Sequence, residues 1–351
     1  MELALKALFI YPRERRAQVA RNCRRYWRDD LCRALLDRSY QERFSSPSEM
    51  RHYAALALAV SENLPPCAAS ADLRARAWVG LGRALKISGR LLDAEAAIAR
   101  AAEEEPLGSG DPEIMACRME CLASLRLRQS RFPEAIDLYN KAAEIREGLG
   151  DWHGLAANLM ATAVGIAELG KAQEALRLQT RANHLIDRRA DPRLSLIGRH
   201  NGIQFILGMG RHHEAWKLME ASEPYYRAAG DDLILLQRRH LRGRIAREFG
   251  SRAMDQIAES ELRGTAQDAI ERGMPYLAAK SLLELAGFYA DRGRHLLLPE
   301  LIDEILPIFE ALGVDRESLA ARVLRSAAED RAKAAVLLRT AAEHLAAVAG
   351  Y

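Results

Sequence analysis

Cysteine is scarce in this chain: five residues in 351, at positions 23, 32, 67, 117 and 121, an odd and sparse set that fits reduced thiols better than a secreted disulfide framework. The expectation is reduced thiols in a cytoplasmic protein. Long apolar runs are missing too. Nowhere do roughly 18 uncharged apolar residues follow one another, so no segment reads as a membrane span. The first ten residues carry Glu2 and Lys6 inside their apolar stretch, with the arginines after it, the reverse of a secretory signal. An excess of one charge is also absent, since Lys+Arg 51 against Asp+Glu 48 leaves +3, too little to demand a nucleic-acid or anionic-membrane partner.

Catalytic grammar is equally thin. The sequence holds no glycine-rich phosphate loop, GxSxG elbow, HExxH or paired CxxC. His212-His213-Glu214 reads as a solvated connector. His200 and His240 lack the third ligand a zinc site needs. Cys117 and Cys121, four apart on one helix face, read as a small buried pair rather than a redox or metal site. No nucleophile can be matched to a base by spacing. The expectation is a chain that is not an enzyme and uses neither metal nor cofactor.

What is abundant is helix former. Hydrophobic residues make up 49% and charged ones 28%, with Ala, Leu, Arg and Glu prominent and aromatics at only 6%. The fold class expected is all-α. Self-similarity then sets the architecture. The clearest unit runs Trp78-x2-Leu81-Gly82-x2-Leu85, Gly89-Arg90, Ala94-x3-Ile98, Ala101 and Pro106. The Gly89 position recurs as Ser130, Gly170, Gly210, Gly250 and Gly293, at intervals of 41, 40, 40, 40 and 43. A basic residue follows at Arg90, Arg131, Lys171, Arg211 and Arg294, and Ser251 interrupts the pattern.

A bend between antiparallel helices needs positive φ, which glycine adopts without steric cost. Five residues on, Ala94, Ala135, Ala175 and Ala215 fall where the second helix crosses the first, and a larger side chain there would part the axes. The register slips in the fifth unit, with Asp255 at the alanine position, and Leu298-Pro299 occupies that stretch in the sixth. Helix pairs are expected near 72–105, 112–149, 151–188, 192–229, 231–272 and 275–312. The joints Gly148-Leu149-Gly150-Asp151, Ala190-Asp191-Pro192, Ala229-Gly230-Asp231 and Leu312-Gly313 combine helix stops with N-cap acids or their equivalents.

This grammar resembles the tetratricopeptide repeat family in its long, roughly 40-residue variety, over about 240 residues. The resemblance implies a right-handed α-solenoid of about six hairpins in which the first helix of each pair lines a concave groove. Three domains are expected: an irregular helical cap at 1–71, the repeats at 72–312, and capping helices at 313–351 that cover the last open face. In the first of these, helices are expected near 29–43 and 47–63, the second started by Ser46-Pro47 and stopped by Pro65-Pro66.

Two sets of residues stand out as contacts. In the groove, His240, Arg244 and Arg247 lie at i, i+4 and i+7 on one helix face, with His200, Asn201 and Gln204 at or beside equivalent positions one repeat earlier. Met160, Val164 and Ala167 are their counterparts in the repeat before that. Arg76, Arg83 and Lys86 add positive charge from the first pair. Such a groove favours a peptide or protein segment bearing carboxylates. The particular lysine and asparagine set of the repeat subfamily that clamps C-terminal carboxylates is not reproduced.

The second set is Arg13, Arg15, Arg16, Arg21, Arg24, Arg25 and Arg28, seven arginines against Glu14 in sixteen residues, interleaved with Tyr26 and Trp27. Phosphate contacts with stacking would use such residues. A solvated face whose arginine stems shield apolar surface is the favoured reading. The function expected is therefore a non-catalytic interaction scaffold or regulatory adaptor. The alternative is a nucleic-acid-associated or ligand-sensing regulator, and self-association is left open.

Overall fold

The computed structural model describes residues 2–44, 46–229, 232–312 and 317–330, and every regular element among them is a helix. The chain divides into two compact units, with the boundary between Arg238 and Arg239.

The first unit begins with α1 (Glu2–Phe9), α2 (Arg13–Asn22), α3 (Asp29–Gln41) and α4 (Pro47–Ser61). They enclose one apolar cluster with Leu8, Ala20, Tyr26, Leu35 and Val60 all at or near zero exposure, and Leu73 of α5 (Ala68–Ile87) closes it. These helices thus share their core with the first helix of the hairpin that follows. Its last helix starts as the sequence indicates: Ser46 is the N-cap, its hydroxyl accepting from Glu49 N at 3.2 Å, and Pro47 takes the first helical position, where its missing N–H matters least.

Four hairpins follow: α5 with α6 (Leu91–Glu104), α7 (Pro112–Arg128) with α8 (Phe132–Gly148), α9 (Trp152–Glu168) with α10 (Ala172–Leu185), and α11 (Pro192–Gly208) with α12 (His212–Ala221). The helix after the fourth bend breaks at Ser222 and resumes as α13 (Glu223–Ala229). Each helix packs on the next in sequence. Asp111, Asp151 and Asp191 cap α7, α9 and α11 by accepting from backbone N–H groups at 2.9, 2.8 and 2.7 Å. Asp151 and Asp191 sit at the joints expected from the sequence, and Asp111 adds an equivalent cap one hairpin earlier.

α14 (Asp232–Arg247) contains the division between the units. The second unit continues with α15 (Arg252–Glu271), α16 (Pro275–Asp291) and α17 (Leu298–Leu312). Residues 317–330 are helical and lie against that last hairpin, where Tyr276 donates to Glu317 at 3.3 Å and Arg325 pairs with Asp303 at 2.6 Å. The joint residues Gly230, Asp231 and Gly313, and Arg331, Lys333 and Arg339 of the expected C-terminal cap, lie outside the described residues.

All six expected bend positions have positive φ, from 58° at Ser130 to 81° at Gly170. Ser130 shows that the bend selects a backbone conformation rather than glycine as such; among the described residues it is the one non-glycine with positive φ. Ala94, Ala135, Ala175 and Ala215 are all fully buried. At the first crossing Gly82 faces Ile98 so closely that an added Cβ would stand 2.8 Å from its Cγ1, which explains a glycine within a helix. Where the fifth register slips, Asp255 becomes the partner of Arg292 at 2.8 Å, and the sixth bend is lengthened by a short 3-10 turn over His295–Leu297.

Candidate functional site

A cavity of about 980 Å³ opens in the first unit. Its wall comes from the first helix of each hairpin. Arg76, Gly80 and Arg83 recur at helical spacing on α5, as do Glu113, Cys117 and Cys121 on α7 and Gly154, Asn158 and Ala161 on α9. Leu194 and Ile197 extend the wall on α11, while Tyr40 and Arg43 close it from the end of α3. The resemblance implied a groove built this way.

Most of the lining charge is internally paired. Glu120 receives Arg146 at 2.9 Å and the Asn158 amide at 3.1 Å, and Asp151 receives a second Arg146 nitrogen at 3.0 Å. Partial burial would lower the Arg146 guanidinium, but Glu120, with a smaller contribution from Cys117, pushes it further up. Arg76 meets Asp111 at 2.8 Å and Glu113 at 3.5 Å, and His153 meets Asp191 at 3.3 Å.

Arg83 and Lys86 differ. Among the described residues neither has a carboxylate within ion-pair range. Arg83 lies 5.5 Å from the centroid of the Tyr40 ring, and the Lys86 ammonium donates to the Ser124 hydroxyl. Burial holds Lys86 well below its ordinary value, at about 8, helped by the positive charges of Arg128 and Arg83. Arg43 lies 3.7 Å from the same Tyr40 ring, and burial, with Arg193 and Arg83 as like charges, lowers it as well. Tyr139, wholly inside the wall, is raised by burial.

The structure brings Arg76, Arg83 and Lys86 together in this cavity. Asn201 and Gln204 fall four and seven residues beyond Ile197, on the same face of α11. Asn201 is 8% exposed and donates to Gln179 at 3.3 Å. His200, one residue off that face, turns between helices, where its Nδ1 meets the Tyr226 hydroxyl at 2.8 Å. Met160 likewise lies in the core, and the groove face of α9 runs through Gly154, Asn158 and Ala161 instead. Arg43, Arg146 and Tyr139 were not singled out from the sequence.

In the second unit the row His240, Arg244, Arg247 exists as the spacing indicates, and α16 answers it. His240 Nδ1 lies 2.9 Å from the Ser281 hydroxyl, Glu284 pairs with Arg244 at 3.0 Å and Arg247 at 2.7 Å, and Asp291 reaches Arg247 at 2.8 Å. Burial alone would raise the Glu284 carboxyl, but Arg244, His240, Arg247 and Lys280 bring it down to about 2.

The arginine-rich segment spans α2 and the turn after it. Arg13 pairs with Glu49, Arg21 with Glu62 at 3.5 Å and Arg28 with Asp30 at 2.7 Å. Arg16 covers the Phe9 ring at 4.2 Å and Arg25 the Tyr26 ring at 4.6 Å, while Arg15 and Arg24 are exposed. Tyr26 is 1% exposed, and the Trp27 indole donates to backbone carbonyls at 3.1 and 3.2 Å. Neither ring is presented as a stacking platform.

No protein-family model matches this sequence, and no curated protein matches it either. Solved structures do. Over 90% of its length the chain matches 90% of a Rap protein complexed with competence and sporulation factor, with TM-score 0.63 and 14% identity. It matches 98% of the apo form of RapI over 84% of its own length, with TM-score 0.56 and 12% identity. The fold is that of the TPR-like helical-repeat proteins. Aspartyl phosphate phosphatase F from Bacillus subtilis shares it at TM-score 0.50 and 13% identity, with 93% of this chain and 92% of that one covered. Among the described residues, no helix of this TPR-like chain is long and apolar enough to cross a membrane.

Proposed function

We propose that the chain is a non-catalytic adaptor that binds a peptide or protein segment carrying carboxylates, in the groove of its first unit. The observation that carries this reading is the pair Arg83 and Lys86, recessed in a cavity of peptide size without a carboxylate partner of their own. A purely structural lining would be neutralised, as Arg146 is by Glu120 and Asp151. A Rap protein of the same fold was solved with competence and sporulation factor bound, which supports a binding role for the fold.

Contacts are assigned to Arg76, Arg83 and Lys86, with Asn201 and Gln204 further along. The row His240, Arg244, Arg247 is assigned a packing role, because Ser281, Glu284 and Asp291 engage it. Residues 1–71 are proposed as the cap of the first hairpin, 72–312 as the repeats and 313–351 as the closing cap. Five free thiols among the described residues support a cytoplasmic location. The test is fluorescence anisotropy with labelled random pentapeptide pools, one rich in Asp and Glu and one without acids. The acidic pool should bind the full chain, and Arg83→Glu with Lys86→Glu should abolish it. Equal binding of both pools, or an unaffected double variant, would overturn the reading.

A further inference from the structure

The groove lining can be divided by what already satisfies each charge. Glu120 and Asp151 are held by Arg146, Glu113 by Arg76, and Asp191 by His153 and by the Leu194 backbone N–H it caps, while Glu120 still acts on Arg83 and Asp191 on Arg43 at longer range. The remaining carboxylate of the lining, Asp37, is exposed. On the basic side, Arg83 and Lys86 lie one turn apart on α5. Arg43 and Arg83 converge on the Tyr40 ring, at 3.7 and 5.5 Å from its centroid. That half-exposed ring fixes two guanidinium groups on one side of the cavity by cation–π attraction. Like charges held together in a recess raise each other's energy, and an oxyanion placed among them relieves it.

We infer that Arg83 and Lys86, joined by Arg43 across the Tyr40 ring, form a single oxyanion subsite, the point in the groove where one carboxylate of a bound segment is received. The inference rests on the reading above and adds the chemistry of one contact and its dependence on pH. Lys86 faces Arg83 on its own helix, Cys121, Arg128 and the Ser124 hydroxyl on α7, and through that hydroxyl the Tyr139 phenol of α8. The two arginines and burial disfavour its charged form, while a Cys121 thiolate would favour it. A carboxylate in the subsite restores the charged form. Binding therefore takes up protons near pH 8. Affinity is fully present below about 8 and declines as pH rises through that value and lysine loses its charge in the free protein.

The probes are inorganic phosphate, acetyl-tetraglutamate amide and tetraglycine with a free carboxyl terminus, titrated calorimetrically into the full chain at pH 8 in two buffers of different ionisation enthalpy. Wild type should bind phosphate and at least one peptide with net proton uptake. Lys86→Met and Arg83→Gln should each weaken binding by about tenfold or more, as expected for loss of one charge-assisted hydrogen bond. Lys86→Arg should keep the affinity and lose the proton uptake, a result that misfolding would not produce. Tetraglutamate amide binding without tetraglycine assigns a side-chain carboxylate; the converse assigns a chain terminus. Peptide binding indifferent to Arg83 and Lys86 would overturn the subsite and leave the adaptor reading intact. Phosphate bound through these residues with neither peptide recognised would keep the subsite and overturn the adaptor reading. Binding of none of the probes would overturn the subsite outright.

Discussion

Replacing Ala175 by arginine tests the helix crossing on which the repeat depends. Ala175 on α10 is fully buried, in one cluster with Ala163 of α9 and Phe205 of α11, the last at 1% exposure. Val164, Ile166, Leu176 and Leu178 pack around it, so the cluster supplies no acid to receive a guanidinium. Overpacking a filled crossing costs about 1–3 kcal/mol. Desolvating a charge adds several more, offset in part where the long stem lets the head group reach water. The sum is about 3 kcal/mol or more, a sizeable fraction of a folding free energy of about 5–15 kcal/mol. For a unit of this size the melting temperature should fall by about 6–12 °C. Gln173→Arg, two residues away on the exposed side of the same helix, is the control and should stay within about 0.5 kcal/mol of wild type. Urea titrations followed by circular dichroism measure both. Equal midpoints for the two variants, or an Ala175→Arg midpoint at the wild-type value, would show that α9 and α10 do not cross there.

Three further outcomes follow from the same geometry. Gly170→Ala should cost about 1 kcal/mol in a urea titration, because φ is 81° there and an added Cβ meets nothing within 4 Å, leaving backbone strain as the only penalty. Arg146→Met should lower stability by about 2 kcal/mol by leaving the Glu120 carboxylate without its guanidinium, whereas Arg146→Lys should recover part of that loss. Glu284 is depressed from 4.5 to about 2, so its contribution is complete above about pH 4.5 and is lost as pH falls toward 2. Glu284→Gln should therefore be destabilised by about 2 kcal/mol at pH 7 and converge with wild type in acid melts near pH 2; a constant gap across that range would contradict the assignment.

The repeat was legible because its determinants are local. A bend needs one residue with positive φ, which recurs in all six units and survives the substitution of Ser130 for glycine, and a crossing needs one small residue five positions later, which recurs in the first four. What escaped the pattern depends on distant chain. α1 and α2 are short, and α2 is so rich in arginine that its single fully buried residue, Ala20, gives no periodic signal. The groove shows the same split. Arg76, Arg83 and Lys86 share a face by spacing alone, but Arg43 and Arg146 reach that cavity only because the turn after α3 and the helix α8 lie beside it. Histidine misled the groove register for a physical reason. A ring with polar atoms on an apolar body suits either a wet wall or a buried hydrogen bond, and at His200 and His240 the hydroxyls of Tyr226 and Ser281 provide the second.

Two arginine rows on equivalent first helices thus meet opposite fates. In the second unit, Arg244 and Arg247 face Glu284 and Asp291, so the charges contributed by α14 are cancelled by α16. In the first unit Asp111 and Glu113 answer Arg76, but Glu120 turns to Arg146 and Asn158, leaving Arg83 to feel it only at longer range. Cancelling Arg83 and Lys86 would take one acid on α7, for example at Ser124, which already touches Lys86. A carboxylate there would neutralise the recess and raise stability, since burial and the neighbouring arginines hold the charged form of Lys86 at a cost. The chain places a hydroxyl at that position instead. A local electrostatic cost retained where a single substitution removes it supports the proposed reading, in which an anion is received in the groove. Ser124→Asp should accordingly stabilise the first unit and abolish the proposed binding of acidic peptides, and a variant that gained stability yet still bound them would break the link drawn between Arg83, Lys86 and that binding.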